Sequence, residues 1–255
     1  MKNMLTHLPA LITATCCLAM LVYGPIAQTG NYHAFADDSE LMGISHGGDV
    51  ISNLGFAIVG FWGILNLWPQ RQHPAIKRSF HPYVIFLVGL ILTACGSSYY
   101  HLQPDDYRLL WDRLPIALAC AGLLAAVWSE TALIEGRALT VTVLLSLYSV
   151  GSVLWWYITE LNGQGDLRPY LLLQILPILL IPIWQGLYHS AMLDRLWFAA
   201  ALLLYIVAKI AEVYDHAVLE VTNHIVSGHT IKHFLATAAA AAIVYRLIQR
   251  TRMSR

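Results

Sequence analysis

Apolar residues run along this chain in long uninterrupted blocks, not at the one-face spacing of a surface helix. Crossing the hydrocarbon of a bilayer takes a helix of about 20 mostly apolar residues. Eight stretches approach or reach that length: 8–27, 50–68, 83–101, 112–134, 139–158, 170–188, 196–213 and 229–248. The connections between them are short and carry most of the charge. The pattern predicts an all-α, polytopic membrane helix bundle: a seven-helix core in residues 31–255, preceded by one extra transmembrane helix in residues 1–30. That first stretch is long for the apolar region of a signal peptide, and Pro25 sits where a small residue would precede cleavage. It is therefore taken as a retained helix.

Composition excludes the main alternative. Only 12% of the 255 residues are charged and 58% are apolar, whereas soluble domains carry about 25% charged residues. Too few charges remain to cover a water-facing surface. The formal net charge is zero, so nucleic acid is not an expected partner. Cys16, Cys17, Cys95 and Cys120 all fall within apolar stretches with no CxxC pair, which reads as small buried hydrophobes.

Charge in the connections sets an orientation. Lys2, Arg71, Lys77, Arg78, Arg137, Arg195, Arg246, Arg250, Arg252 and Arg255 are ten of the 15 Lys and Arg residues, and all fall on one side. The positive-inside rule makes that side cytoplasmic. Both termini are then cytoplasmic, and the inner membrane of a cell is the simplest location. Acidic residues such as Asp37, Asp105, Asp166 and Asp215 gather in the outer connections. Trp155, Trp156, Tyr99 and Tyr100 read as aromatic residues of the membrane interface, and Lys232 as a side chain snorkelling to it.

Ionisable residues inside spans are costly, which marks them as functional candidates. Ser97 and His101 lie four residues apart at the end of the third stretch, so a helix places them on one face. Asp112 opens the fourth stretch, and His229 and His233 repeat the same spacing at the start of the eighth. Alternating helix direction brings all five to the outer face. Three histidines plus a water make an open, catalytic type of zinc site. With Asp112 to accept a proton and Ser97 to donate to an oxyanion, the arrangement suits hydrolysis of an amide or ester in a lipid. Taken singly, Asp112 before Pro115 reads as a helix cap, and Ser97 as a hydroxyl bonded to its own helix. His46, His216 and His224 lie on the same side, and His216 or His224 could substitute as a ligand. Rival readings are a heptahelical receptor or sensor with a structural zinc, a haem-binding electron carrier and a transporter.

The order Ser97-x3-His101, Asp112, His229-x3-His233, together with Asp49-Val50-Ile51-Ser52-Asn53-Leu54 opening the second stretch, resembles the alkaline ceramidase family. That family belongs to a superfamily of heptahelical membrane hydrolases that includes the adiponectin-receptor group. The similarity runs from about residue 37 to 248. It implies an intramembrane zinc on His101, His229 and His233, with Ser97 and Asp112 as catalytic residues. The implied substrate is ceramide or a related N-acyl lipid, cleaved to a sphingoid base and a fatty acid. Animal members also bind calcium near the start of the core. Asp37 and Glu40 resemble part of that site, but Met42 and His46 stand where oxygen ligands are needed, so calcium is not expected.

Overall fold

In the computed structural model, which describes residues 5–131 and 136–253, the chain is a bundle of helices. Helix α1 (Leu8–Tyr23) is followed by a loop and a two-residue hairpin, β1 (Glu40–Leu41) and β2 (Ile44–Ser45). Then come α2 (Gly47–Ser52), α3 (Leu54–Leu67), α4 (Phe80–Leu102), α5 (Asp106–Thr131), α6 (Ala138–Leu161), α7 (Arg168–Leu187), α8 (Met192–Val213), the short α9 (Asp215–Val221) and α10 (Gly228–Met253). Seven segments are long and apolar enough to cross a membrane: Gly47–Gln70, α4, α5, α6, α7, α8 and Gly228–Arg252. Their outward faces carry exposed large hydrophobes such as Leu65, Leu144 and Leu203. Leaving each of these in water would forgo about 1.5–3 kcal/mol, whereas lipid accepts them.

Two stretches differ from the sequence expectation. The first helix stops at Tyr23, because Gly24 takes a positive φ of 91° and Pro25 follows. Its 16 residues reach about 24 Å, short of the about 30 Å of hydrocarbon. The second span is interrupted at Asn53, whose side-chain amide donates to the Asp49 carbonyl at 2.8 Å. Such side-chain donors compete with the helix's own bonds. The C-terminal end of the expected 112–134 span lies partly outside the described residues; the helix is described to Thr131.

The most extensive helix contact joins α4 and α5, and glycines make it possible. A Cβ on Gly89 would come within 2.8 Å of the Ala119 backbone nitrogen, and one on Gly122 within 2.5 Å of the Phe86 nitrogen. One on Gly96 would collide with the Trp111 carbonyl. Membrane helices gain little from hydrophobic association, so close backbone approach through small residues supplies much of their cohesion. At the end of the bundle remote from the histidines, ion pairs tie helices together: Arg250 with Glu130 at 2.6 Å and Arg246 with Asp194 at 2.5 Å.

The loop after α1 is fastened at the other end. Leu167 donates its backbone N–H to the Ile26 carbonyl at 2.8 Å. Asp166 accepts from Trp155 Nε1 at 2.9 Å and from Arg168 Nε at 2.9 Å, and Arg168 reaches the Met20 carbonyl at 3.2 Å. Burial pushes the Asp166 carboxyl up, but the Arg168 and Trp155 donors outweigh it and hold the group low, at about 2. The depressed value means this stabilisation is present above the ordinary carboxylate range and is lost as pH falls from about 4 through about 2. Asp166→Asn should therefore lower the melting temperature by about 2–4 °C near neutral pH. The gap from the wild type should close as melts are repeated towards pH 2. For the α4–α5 contact, Gly96→Ala should lower the melting temperature more than Gly151→Ala, since Gly151 has open space around its Cβ position. Equal losses would mean that the crossing tolerates the extra methyl.

Candidate metal centre

His101 lies in the last turn of α4, and His229 and His233 lie one turn apart at the start of α10. All three are buried, at 1%, 6% and 2% exposure. One nitrogen from each ring falls within 4.8 Å of the others. Ring centroids stand 4.7 Å apart for His101 and His229, 5.3 Å for His101 and His233, and 4.8 Å for His229 and His233. Phe35 packs edge-on against His101 and His229, at 4.5 and 4.6 Å between centroids, and covers the cluster.

The local sequence explains the placement. Asp215 accepts the His229 backbone N–H at 2.7 Å, and Ser227 Oγ accepts that of Thr230 at 2.9 Å. Together they satisfy donors that the first turn of α10 leaves open. Asp215 also accepts the Ala36 N–H at 2.9 Å, which ties the loop carrying Phe35 to the same carboxylate. Gly228 permits the start of α10 to meet the Ala211 carbonyl at the end of α8.

Behind the rings stands a polar layer built partly from the Asp49–Leu54 motif, to which the sequence assigned no role at the site. Ser52 Oγ lies 2.8 Å from His233 Nδ1, leaving Nε2 of that ring for a ligand. Asp49 is wholly buried; one carboxylate oxygen accepts from Thr230 Oγ1 at 2.6 Å and Ser227 Oγ at 3.0 Å. Its other oxygen has no hydrogen-bond partner and faces His101 Nδ1, equally unpartnered, at 3.9 Å. A carboxylate behind an imidazole is the usual outer support of a metal-binding histidine. The acidic run before α2 disguised Asp49; the useful signal was its position at the mouth of an apolar span.

Ser97 and Asp112 are brought together as the spacing predicts. Both are buried, the Ser97 hydroxyl lies beside the Asp112 carboxyl, and Asp112 Oδ1 has no hydrogen-bond partner among the described residues. With His233 they line a cavity of about 690 Å³ walled by α4, α5, α7, α8 and α10. Its surface is mostly apolar, with Phe86, Leu90, Ile116 and Leu123 among the lining side chains.

Several expectations are corrected. Asp112 is not a helix cap: α5 begins at Asp106, so Asp112 sits in its second turn and points inward. Lys232 does not snorkel away. It lines the cavity, pairs with Glu212 at 2.8 Å and lies 3.0 Å from His229 Nε2. Trp156 and Tyr100 are buried, at 0% and 2% exposure, and do not form an interfacial belt; Trp155 and Tyr99 are exposed. His46, His216 and His224 do not join the cluster. His46 and His224 hold left-handed turn positions, and exposed His216 lies 3.2 Å from the Ala34 carbonyl. Asp37 already accepts the Ser39 and Asp49 amides at 3.1 and 2.9 Å, while Glu40 and Met42 are exposed.

No family model matches the chain, and no curated protein matches it. What the fold and the cluster define is a polytopic helical membrane protein with a buried three-histidine centre able to hold a metal ion. The donor set fits such an ion. Three imidazoles converge, two have polar groups behind them, and His101 Nδ1 and Asp49 Oδ2, both without hydrogen-bond partners among the described residues, face each other. A ligand that binds only the folded state adds about 2.7 kcal/mol of stability at a hundredfold excess over its dissociation constant. Chelator-stripped protein should therefore gain several degrees in melting temperature when micromolar zinc is restored. His101→Ala and His233→Ala should abolish the gain, and His216→Ala should keep it.

Proposed function

We propose that this protein is a zinc-dependent intramembrane hydrolase that cleaves the amide bond of an N-acyl lipid, ceramide or a relative of it. The observation that carries the reading is that His233 of the three-histidine cluster lines the same large apolar cavity as Ser97 and Asp112. The resemblance to alkaline ceramidases supports it from the side of sequence order. The positive-inside pattern puts the cluster near the outer face of the membrane.

A zinc ion held by His101, His229 and His233 would supply Lewis acidity and make water a competent nucleophile near neutral pH. The chain's own groups do the rest. Asp112 presents a free carboxylate oxygen to the cavity. It accepts a proton from the attacking water and later delivers one to the leaving amine. Ser97, beside that carboxyl, donates its hydroxyl to the oxygen on which negative charge develops. Phe35 keeps bulk water from the ring cluster. The acyl chain lies along the apolar wall. Helices α7 and α8 both line the cavity and pack sparsely against each other, and a lipid enters sideways between them on this reading.

The test is release of fatty acid from N-acyl lipids by the purified protein in nanodiscs. Asp112→Asn should cut kcat by about 10²–10⁴ while zinc content stays at the wild-type level. Ser97→Ala should cut it by about 10²–10³. Turnover unchanged in Asp112→Asn would remove the proton-transfer role, and zinc-loaded wild type that hydrolyses none of the lipids would sink the proposal.

A further inference from the structure

Arg113 follows Asp112 along α5 and is only 2% exposed, yet it makes no salt bridge among the described residues. Nε and Nη1 have no hydrogen-bond partner among the described residues. Aromatic rings surround the guanidinium instead: its central carbon lies 4.0 Å from the centroid of Trp156, 4.9 Å from that of Tyr32 and 5.4 Å from that of Tyr170. Each ring attracts the cation through its face, and among the described residues the guanidinium makes no hydrogen bond to the Tyr32 or Tyr170 hydroxyl. An arginine cannot relieve the cost of burial by losing its proton.

The guanidinium borders the same cavity of about 690 Å³ as Ser97, Asp112 and His233. Two carboxylates line that cavity, Asp112 and Glu212. Glu212 is held by Lys209 and Lys232. Asp112 and Arg113 are successive residues, so the helix turns their side chains about 100° apart, and Asp112 faces Ser97 rather than the aromatic cage. The cavity therefore holds an unused, strongly directional anion receptor beside the reacting groups, but on a different wall.

We propose that the lipid bound here carries an oxyanion, carboxylate or phosphate, on its polar amine-derived half, and that Arg113 binds it. This rests on the hydrolase reading only for where the amide lies. The acyl carbonyl belongs at the histidines and Asp112, so an anion at Arg113 is a second polar group on the far side of the amide nitrogen. N-acyl amino acids have that layout. A neutral N-acyl alcohol amide leaves the guanidinium unsatisfied, which costs affinity more than a missing apolar contact would.

The experiment measures binding of N-oleoylglycine, N-oleoylethanolamide and oleate to full-length protein in phosphatidylcholine nanodiscs, with Asp112→Asn present throughout to prevent turnover. N-oleoylglycine should bind about tenfold or more tightly than the ethanolamide. Arg113→Met should erase that difference and leave the ethanolamide's affinity unchanged, while Arg113→Lys should keep part of it. Equal affinities in the parent protein, or a difference that survives Arg113→Met, would overturn the proposal. So would oleate binding as tightly as N-oleoylglycine with the same dependence on Arg113, since the anion would then belong to the acyl half. If Arg113→Met fails to fold, the parent comparison and Arg113→Lys decide. Anion preference without any hydrolysis by the zinc-loaded wild type would sink the hydrolase reading and keep the Arg113 subsite. Hydrolysis without anion preference would do the reverse.

Discussion

The close approach of α4 and α5 is the constraint on which the site depends. Two glycines two turns apart on α4, Gly89 and Gly96, lie against the α5 backbone, and Gly122 answers from α5. In lipid, helices are held together by packing and polar contacts and not by exclusion from water. The interval between backbones is therefore set by side-chain size. Because Gly96 has no Cβ, the Trp111–Asp112 backbone lies directly against it. Ser97 is the next residue on α4, and so it meets the Asp112 carboxyl. His101 follows one turn later. A bulkier residue at position 96 would move Ser97, Asp112 and the first histidine together, which couples helix packing to the geometry of the cluster through a single missing atom.

The third element, α10, is fixed by charge and hydrogen bonding. Asp215 and Ser227 hold its first turn, and Asp49 receives Ser227 and Thr230 on one oxygen while presenting the other to His101. Buried polar atoms without partners cost about 1–3 kcal/mol each. Five of the eleven such atoms among the described residues, Asp49 Oδ2, His101 Nδ1, Asp112 Oδ1 and two nitrogens of Arg113, belong to the layer behind the histidines or to residues of the cavity wall. On the proposed reading these are the groups that a metal and a ligand would order.

The spans were legible because a run of about 20 apolar residues has few other uses. The convergence of Ser97, His101, Asp112, His229 and His233 was legible because helix direction alternates, so parity alone assigns each to an end. Local context was not. Asp112 resembled a cap because the polar stretch of residues 103–113 hides the true start of α5 at Asp106. Hydropathy cannot distinguish a charged helical turn buried in the bundle from a loop. Lys232 was misplaced for a related reason: a lysine at a span end has two outlets, the interface or a buried partner. Glu212, on another helix 20 residues earlier, decides between them. Trp156 and Tyr100 carried the composition of an interfacial belt, but the aromatic cage around Arg113 and the His33 contact of the Tyr100 hydroxyl at 2.8 Å draw them inside. The first helix reads as full length until Gly24, where the positive φ ends it.

Asp112 and Arg113 show how one step along a helix can divide a site into functions. The two side chains carry opposite charge, and both reach the cavity, yet they make no ion pair. Rotation of about 100° per residue sends one towards Ser97 and the histidines and the other into the ring of Tyr32, Trp156 and Tyr170. Had they paired, each would have satisfied the other. On the proposed readings, separation leaves the carboxylate a lone pair for a proton and the guanidinium its donors for an anion. Since the lining around them is mostly apolar, each interacts across a low-dielectric space in which an unpaired charge weighs heavily. The arrangement favours ligands whose polar groups match both walls at once, and an acyl chain alone satisfies neither.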